Sequence, residues 1–220
     1  MRFLFPLLLL TLSLYTVALG QQPTPEPAPT LSPLSADEKK LDYRKLLLSQ
    51  PDYSAEESYS AMEGFGGYST GGKAGKKGPK SFLVTQFFGY LVDGVTTIKL
   101  DPFEKEYQVL HDGGRSADDM PADIRKFLTH KHWSFVPLGV TKVNDQYDAI
   151  KVQVAVKGKE TEFYLYFAKE LRYLVVAYEA KGREPGVGVT RRLFNVSLDP
   201  PDNLFSIPSD YKRVKKVSWG

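Results

Sequence analysis

The second half of the chain alternates apolar and polar residues with a period of two, and this pattern constrains the fold more than any other feature. Ile150, Val152 and Val154 alternate with Lys151 and Gln153. Successive side chains of a β-strand point to opposite faces, so this segment predicts a strand with one apolar and one polar face. Similar patterns predict strands over residues 145–156, 160–168, 171–180 and 188–198. The first three are joined by very short connections, which require antiparallel neighbours.

The first half of the chain predicts further strands, preceded by a helix. Aromatic and β-branched residues, interrupted by Gly, Asp or Pro, predict strands over residues 59–65, 81–92, 95–100 and 104–110. Asp93-Gly94 is a two-residue hairpin signal. Ser35 and Glu38 have the spacing of a capping box, which predicts a helix over 36–50. A second, short helix is predicted over 121–129.

These elements predict a mainly β (α+β) domain, in which a strongly curved antiparallel sheet forms an open half-barrel over the N-terminal helix and the short inserted helix. The apolar concave face would be filled by a helix, by a ligand or by both, with ordinary tight packing as the alternative. On strand 160–168, Tyr164 and Tyr166 are expected on the polar face, which is exposed to solvent. On strand 188–198, Phe194 is expected on the apolar face and Arg191 on the polar one. The cavity-lining candidates are Leu47, Val152, Val154, Phe163, Leu165, Phe167, Phe194 and Val196.

The N-terminus has the features of an export signal. Residues 1–20 combine one basic residue with an apolar run that ends in Ala18-Leu19-Gly20, which is typical of a cleaved signal peptide, with a retained membrane anchor as the alternative. The Pro-rich residues 21–35 indicate an extended linker, and 36–220 a single domain. The chain has no cysteine, and its formal net charge of +3 gives no reason to expect nucleic acid as a partner. We therefore expect an exported, periplasmic or extracytoplasmic protein.

The C-terminal part of the domain carries a motif that resembles a known family. A predicted strand ending in NVSL is followed by PPDNLFSIPSDY, and the motif positions are Leu204, Phe205, Ile207, Pro208 and Tyr211. Together with the signal, the helix and the meander, this looks like the outer-membrane lipoprotein-sorting (LolA-like) superfamily, over residues 53–214. The resemblance implies a half-barrel whose apolar cavity receives acyl chains of a lipid or lipoprotein, without catalysis or cofactor. The chain lacks the modifiable cysteine of the family's receptor member, so it looks more like a soluble carrier or another relative in the family.

A Gly- and Lys-rich segment lies between two of the predicted strands. Residues 67–73, GYSTGGK, match the start of a phosphate-binding loop, but Ala74 follows where a hydroxyl is needed, and the next residues disfavour a helix. We expect a mobile hairpin loop instead. One interpretation is a solvated loop without specific role, and the other is contact with anionic headgroups or a membrane surface. The lysines concerned are Lys73, Lys76, Lys77 and Lys80.

Catalytic and metal-binding patterns are weak. His130 and His132 are two residues apart and do not share a helical face, so solvated histidines are the better interpretation than a zinc or nickel site. The sequence has no G-x-S-x-G motif and no thiol. We therefore expect a non-enzymatic binder or carrier of lipid or lipid-modified protein, with an envelope protein as a further partner. The alternative is a structural or protein-interaction module of the envelope with a self-filled cavity.

Overall fold

The computed structural model describes residues 30–63, 66–110, 133–156, 162–181 and 188–218. The described strands form one open, curved sheet, in which neighbouring strands are antiparallel except for the short β12, which runs parallel to β6. The sheet order is β12-β6-β5-β4-β3-β2-β1-β11-β10-β9-β8-β7. The strands are β1 (Tyr53–Glu63), β2 (Gly66–Lys77), β3 (Lys80–Thr85), β4 (Gly89–Asp93), β5 (Thr96–Asp101), β6 (Glu106–Leu110), β7 (Trp133–Val143), β8 (Tyr147–Val156), β9 (Glu162–Ala168), β10 (Leu174–Lys181), β11 (Gly188–Ser197) and β12 (Lys212–Arg213).

The sheet consists of two meanders, β1 to β6 and β7 to β11, which meet where β1 pairs with β11. The predicted curved antiparallel sheet is therefore confirmed. β8, β9 and β11 lie inside their predicted ranges, and the predicted hairpin is present between β4 and β5, with Gly94-Val95 rather than Asp93-Gly94 as its two turn residues. The predicted helix at 121–129 and the signal peptide at 1–20 lie outside the described residues.

The strand predicted over 81–92 is wrong, because two strands, β3 and β4, occupy this range. The chain reverses after Thr85, whose hydroxyl oxygen accepts hydrogen bonds from the backbone N–H groups of Phe87 (3.2 Å) and Phe88 (3.1 Å). The backbone N–H of Thr85 also donates to the carbonyl of Phe88 at 2.8 Å. A threonine in a β-branched run favours a strand, so this local turn is not evident from the residue pattern.

The expectation that the Gly-rich segment forms a mobile loop is wrong as well. The segment forms β2, which pairs with β1 on one side and with β3 on the other. Two of its glycines, Gly72 and Gly75, lie where neighbouring groups leave no room for a side chain. A Cβ atom on Gly72 would lie 2.6 Å from the carbonyl oxygen of Val84, and one on Gly75 would lie 2.7 Å from that of Tyr53. The turn itself is confined to Gly78-Pro79, and Gly78 has a φ of 55°.

Strand β7 was not predicted, because Pro137 interrupts the apolar run. The structure accommodates this proline at the edge of the sheet, where the register shifts between Pro137 and Gly139. Proline lacks a backbone donor, and an edge strand with a bulge is where that lack is tolerated. The segment that precedes the first strand adds a single bridge to this edge, between Ser32 and Val140.

The single helix predicted over 36–50 is wrong in its extent. A 3₁₀ turn at Glu38–Lys40 is followed by an extended Leu41, and the α-helix α1 begins only at Tyr43 and ends at Leu48. The carboxylate of Asp42 caps α1 by accepting a hydrogen bond from the backbone N–H of Lys45 at 3.0 Å. The predicted capping box is present, since the Ser35 N–H donates to the Glu38 carboxylate (2.7 Å) and the Glu38 N–H to the Ser35 hydroxyl (3.2 Å). No helix in the described ranges is long and apolar enough to cross a membrane.

Apolar side chains are buried on both faces of the sheet, so the expectation of one apolar and one wet face is wrong. One cluster lies between α1 and strands β8 to β10. A second cluster includes Tyr164 and Tyr166, which were expected to face solvent. In a third, Phe205 from the C-terminal motif packs edge-on against Phe82 of β3, with ring centroids 5.2 Å apart. Leu204, Ile207 and Tyr211 of that motif belong to the same cluster.

Candidate functional site

Helix α1 covers one end of the apolar cluster on β8 to β10 and is held there by polar contacts. The ring of Tyr43 packs against Phe167 with centroids 5.4 Å apart. Just beyond the helix, the side chain of Gln50 accepts a hydrogen bond from the N–H of Val175 (2.6 Å) and donates to the carbonyl of Tyr173 (3.2 Å). Because Gln50 satisfies one backbone group of β10 and one of the connection before it, it ties the helix to the sheet.

The cavity-lining candidates divide into two groups in the structure. Five belong to the cluster beneath α1 and are almost fully buried: Leu47, Val152, Val154, Leu165 and Phe167. Phe163 is half-buried at the margin of the same cluster. Phe194 lies outside the cluster, and Val196 packs against the second cluster instead. Their role in ligand binding stays a prediction.

Phe194 lies apart from the others because it alternates with Arg191 and Leu193 along β11, and Val196 lies apart because a bulge follows Phe194. Asn195 has a φ of 49°, and the pairing of β11 with β1 shifts register opposite Ser54 and Glu56. A bulge places two residues opposite one and so changes which residues share a face. On the same strand, the expectation that Arg191 faces solvent is wrong, because Arg191 is buried.

A row of apolar residues crosses six neighbouring strands on the face that carries α1, beyond the part that the helix covers. Each member is the direct cross-strand partner of the next, so the row follows from the register. We call it the apolar row, and its members are Phe135, Val154, Phe163, Ala180, Val189 and Ala61. Val154 and Ala61 are buried, whereas the other four are half-buried. The row is therefore an apolar surface that the described part of the chain leaves partly open.

Aromatic and cationic groups border the apolar row. The ring of Phe163 stacks on that of Tyr178, with centroids 6.0 Å apart. The guanidinium of Arg44 lies 5.7 Å from the centroid of Phe135 and donates a hydrogen bond to the carbonyl of Trp133 at 2.8 Å. Arg44 thus links α1 to the β7 end of the row.

A buried ion pair lies next to the row, between β1 and β11. The Arg191 guanidinium binds the Glu57 carboxylate through Nε at 2.7 Å and through a second, shorter contact. Both side chains are buried. Burial, the largest single effect, would lower the pKa of Arg191, but the charge of Glu57, its hydrogen bond, and the neighbouring Tyr53 and Tyr178 together raise this pKa above its ordinary value. Arg191 therefore stays charged although its side chain is buried.

Sequence reasoning missed most of the row and the ion pair. Phe135 was missed because β7 was not recognised. The Arg191 position did carry a signal, since Val189, Arg191 and Leu193 alternate in phase, and a charged residue in phase with buried apolar neighbours needs a partner. The partner, Glu57, is 134 residues away in the sequence, and no local pattern identifies it.

The four lysines of the Gly-rich segment lie towards the β2–β3 turn. Ala61, the member of the apolar row on β1, pairs with Tyr68 near the opposite end of β2, so the lysines lie away from the row. Lys76 donates to the carbonyl of Gln50 (3.2 Å), and Lys77 donates to that of Pro200 (3.1 Å) and pairs with Asp202 (2.8 Å). Lys73 and Lys80 are exposed. The hydrogen bond to Asp202 raises the pKa of Lys77, and the reverse effect lowers the pKa of Asp202. Contact of these lysines with a membrane stays a prediction.

The described residues contain no group of three or more His, Cys, Asp or Glu side chains that could hold a metal ion. His130 and His132, the residues weighed as metal ligands, lie outside the described part of the chain.

A solved protein shares this fold. It is an uncharacterized conserved protein from Thermus thermophilus, with 8% sequence identity over 78% of this chain and 94% of that chain, and a TM-score of 0.50. No family model and no curated protein matches the sequence.

Two other solved structures overlap with the chain less closely. MucB matches over 81% of this chain and 66% of that chain, with 13% identity and a TM-score of 0.47. A LolA superfamily protein from Nitrosomonas europaea matches over 72% of this chain and 91% of that chain, with 10% identity and a TM-score of 0.34. A LolA superfamily structure is thus among the matches. At these identities the likeness concerns the fold alone.

Proposed function

We propose that this protein is an exported, non-enzymatic binder or carrier of a lipid or of a lipid-modified protein in the bacterial envelope. The observation that carries the proposal is the apolar row. Four of its six members are half-buried, and together they form a continuous apolar strip beside α1. An acyl chain gains about 0.8 kcal/mol for each CH₂ group that it buries, so such a strip is a suitable surface for one.

The length of the row suits an acyl chain. Neighbouring strands are about 4.8 Å apart, so six strands span about 24 Å. The hydrocarbon core of a bilayer is about 30 Å thick and contains two leaflets, which gives about 15 Å for one chain. A single acyl chain of that length therefore fits across the strands from β7 to β10, about 14 Å, in contact with the row.

The test is native mass spectrometry of the exported protein purified from an envelope fraction, followed by organic extraction and lipid analysis. A stoichiometric lipid or acylated peptide would support the proposal and identify the ligand class. A matched pair of variants locates the site. Phe135→Ser, in the row, should reduce retention of the lipid about tenfold. Phe87→Ser, at the exposed β3–β4 turn, should leave it unchanged.

A protein-interaction module is the second candidate, and the packing beneath α1 favours it. Leu47, Val152, Leu165 and Phe167 are buried against one another and against α1, so this part of the interior is filled by the protein's own side chains. A clean apo mass, with no uptake of added lipid or acylated peptide, would contradict the carrier proposal and support this alternative.

A further inference from the structure

A polar cleft of about 930 Å³ lies on strands β7 to β11, among residues that alternate with those of the apolar row. Its volume is within the range of small-molecule sites. Four cationic side chains and three carboxylates line it, which leaves one net positive charge. The cations are Lys142, Lys151, Lys181 and Arg192.

The strand register builds the centre of this cleft. Lys151 is the direct cross-strand partner of Tyr166, Tyr166 is that of Ala177, and Ala177 is that of Arg192. The four residues therefore form one cross-strand row on β8 to β11. Ala177 is buried and its side chain is a single methyl group. A small residue between larger ones leaves a depression, with Lys151 and Tyr166 on one side and Arg192 on the other.

The cations of the cleft are compensated to different degrees. Lys142 pairs with Asp148 at 3.3 Å, and Arg192 makes a long contact of 3.9 Å with Glu179. Lys151 has no carboxylate partner among the described residues. Its ammonium lies 4.3 Å from the ring centroid of Tyr164 and 5.3 Å from that of Tyr166. These two rings hold the ammonium in place without neutralising its charge.

We propose that this cleft binds the phosphate group of a polar ligand between Lys151 and Arg192. A phosphate offers several acceptor oxygens and up to two negative charges, so an ammonium and a guanidinium can bind it at the same time. Lys181 lies in the same cleft, 5.7 Å from the ring centroid of Tyr164, and adds positive charge. A soluble phosphorylated molecule and a phospholipid headgroup share this chemistry. The site is separate from the apolar row, so it does not depend on acyl-chain binding there.

The test uses the exported protein with inorganic pyrophosphate as the probe, followed by backbone amide NMR and by calorimetry at low salt. The changes in amide chemical shift on addition of pyrophosphate are expected to concentrate at Lys151, Ala177 and Arg192. The double variant Lys151→Gln/Arg192→Gln should bind pyrophosphate at least about tenfold more weakly, because charged hydrogen bonds are lost. Lys216→Gln is the matched control, since Lys216 is exposed and lies outside the cleft, and it should bind normally.

Competition separates the two ligand sources, and both of its outcomes support the site. Vesicles of phosphatidylglycerol that displace pyrophosphate, when phosphatidylcholine vesicles do not, indicate an anionic headgroup, whereas no displacement indicates a soluble phosphorylated molecule. Absence of amide shifts in the cleft, or equal affinity of the double variant, would overturn the proposal. If the double variant does not fold, the shift map of the unaltered protein still decides. Lipid co-purification is a separate readout, so failure of one proposal does not imply failure of the other.

Discussion

Glu57 and Arg191 form a buried ion pair across β1 and β11, the two strands that join the meanders into one sheet. Arg191 is the direct cross-strand partner of Tyr59 and Tyr178, so the pair lies at the margin of the cluster beneath α1. Two charges that are removed from water are compatible with a stable fold only while each is the counter-ion of the other.

Removing one partner of this pair should destabilise the protein strongly. Arg191→Met leaves the Glu57 carboxylate buried without its counter-ion, and a loss of about 3–5 kcal/mol in the free energy of unfolding is expected. The double variant Glu57→Leu/Arg191→Met should recover much of that loss, since no buried charge remains. Urea unfolding of the unaltered protein, Glu57→Leu, Arg191→Met and the double variant measures both effects. A loss below about 1 kcal/mol for Arg191→Met would show that water reaches the pair.

The glycines of β2 should differ sharply in their tolerance of a methyl group. Gly75→Ala would place a Cβ atom 2.5 Å from Cε1 of Phe82, and a cost of about 1–3 kcal/mol is expected from the forced shift of the ring and backbone. Gly71→Ala is the control on the same strand, because its Cβ would lie 3.7 Å from the nearest atom, the carbonyl oxygen of Glu57. Thermal and urea unfolding compare the two. Equal stability of both variants would contradict the tight packing of β3 on β2.

The capping box should make stability depend on pH. The Ser35 N–H, and then Lys169, lower the pKa of Glu38 below its ordinary value of 4.5. A carboxyl whose pKa is lower in the folded state stabilises the fold above pH 4.5, and this contribution is lost as the pH falls through the folded-state pKa. The stability difference between the unaltered protein and Glu38→Gln should therefore be largest near neutral pH and shrink in acid.

Two further variants check this pH dependence. Ser35→Ala should cost about 1 kcal/mol, as for other helix caps. Asp37→Asn is the matched control, because Asp37 makes no capping hydrogen bond with its side chain. Urea unfolding at neutral pH and in acid, below the ordinary pKa of a carboxyl, is the measurement. A Glu38→Gln difference that stays constant between these two conditions would exclude a stabilising role for the Glu38 charge.

The four lysines near the β2–β3 turn should contribute unequally to binding of anionic vesicles. Lys73 and Lys80 are exposed, and each should contribute on the order of 1 kcal/mol near an anionic surface. Lys77→Gln should change binding less, because its ammonium already pairs with Asp202. Vesicle sedimentation at low salt compares Lys73→Gln/Lys80→Gln with Lys77→Gln. Unchanged binding after replacement of all four lysines would exclude a membrane role for them.

The strand pattern of the second half was predictable because it depends on neighbours in sequence. The alternation of Ile150, Val152 and Val154 places these residues on one face whatever the strand pairs with, and all three are buried. Turn and cap chemistry was equally local, as the β4–β5 hairpin and the Ser35–Glu38 capping box show. These features need only the rise of a strand and the reach of a short side chain.

Other errors arose where a residue's conformation depends on a distant strand. β2 was taken for a loop because glycine is unfavourable in strands, but the crowding by Phe82 and Val84 that requires glycine there is visible only once β3 is in place. Tyr164 and Tyr166 were expected to face solvent, although both are buried and Lys151 lies over their rings. An amphipathic side chain at an alternating position does not reveal which face is covered.

The sequence by itself determined a mainly antiparallel sheet, the hairpins that join β8 to β9 and β9 to β10, and the apolar side of β8 and β9, because these follow from side-chain periodicity and short connections. Only the tertiary structure decided how β1 pairs with β11, where the β11 bulge changes its faces, that Arg191 is buried against Glu57, and that Phe135 completes a row with Phe163. Each of these depends on contacts between residues far apart in the chain, which periodicity cannot specify.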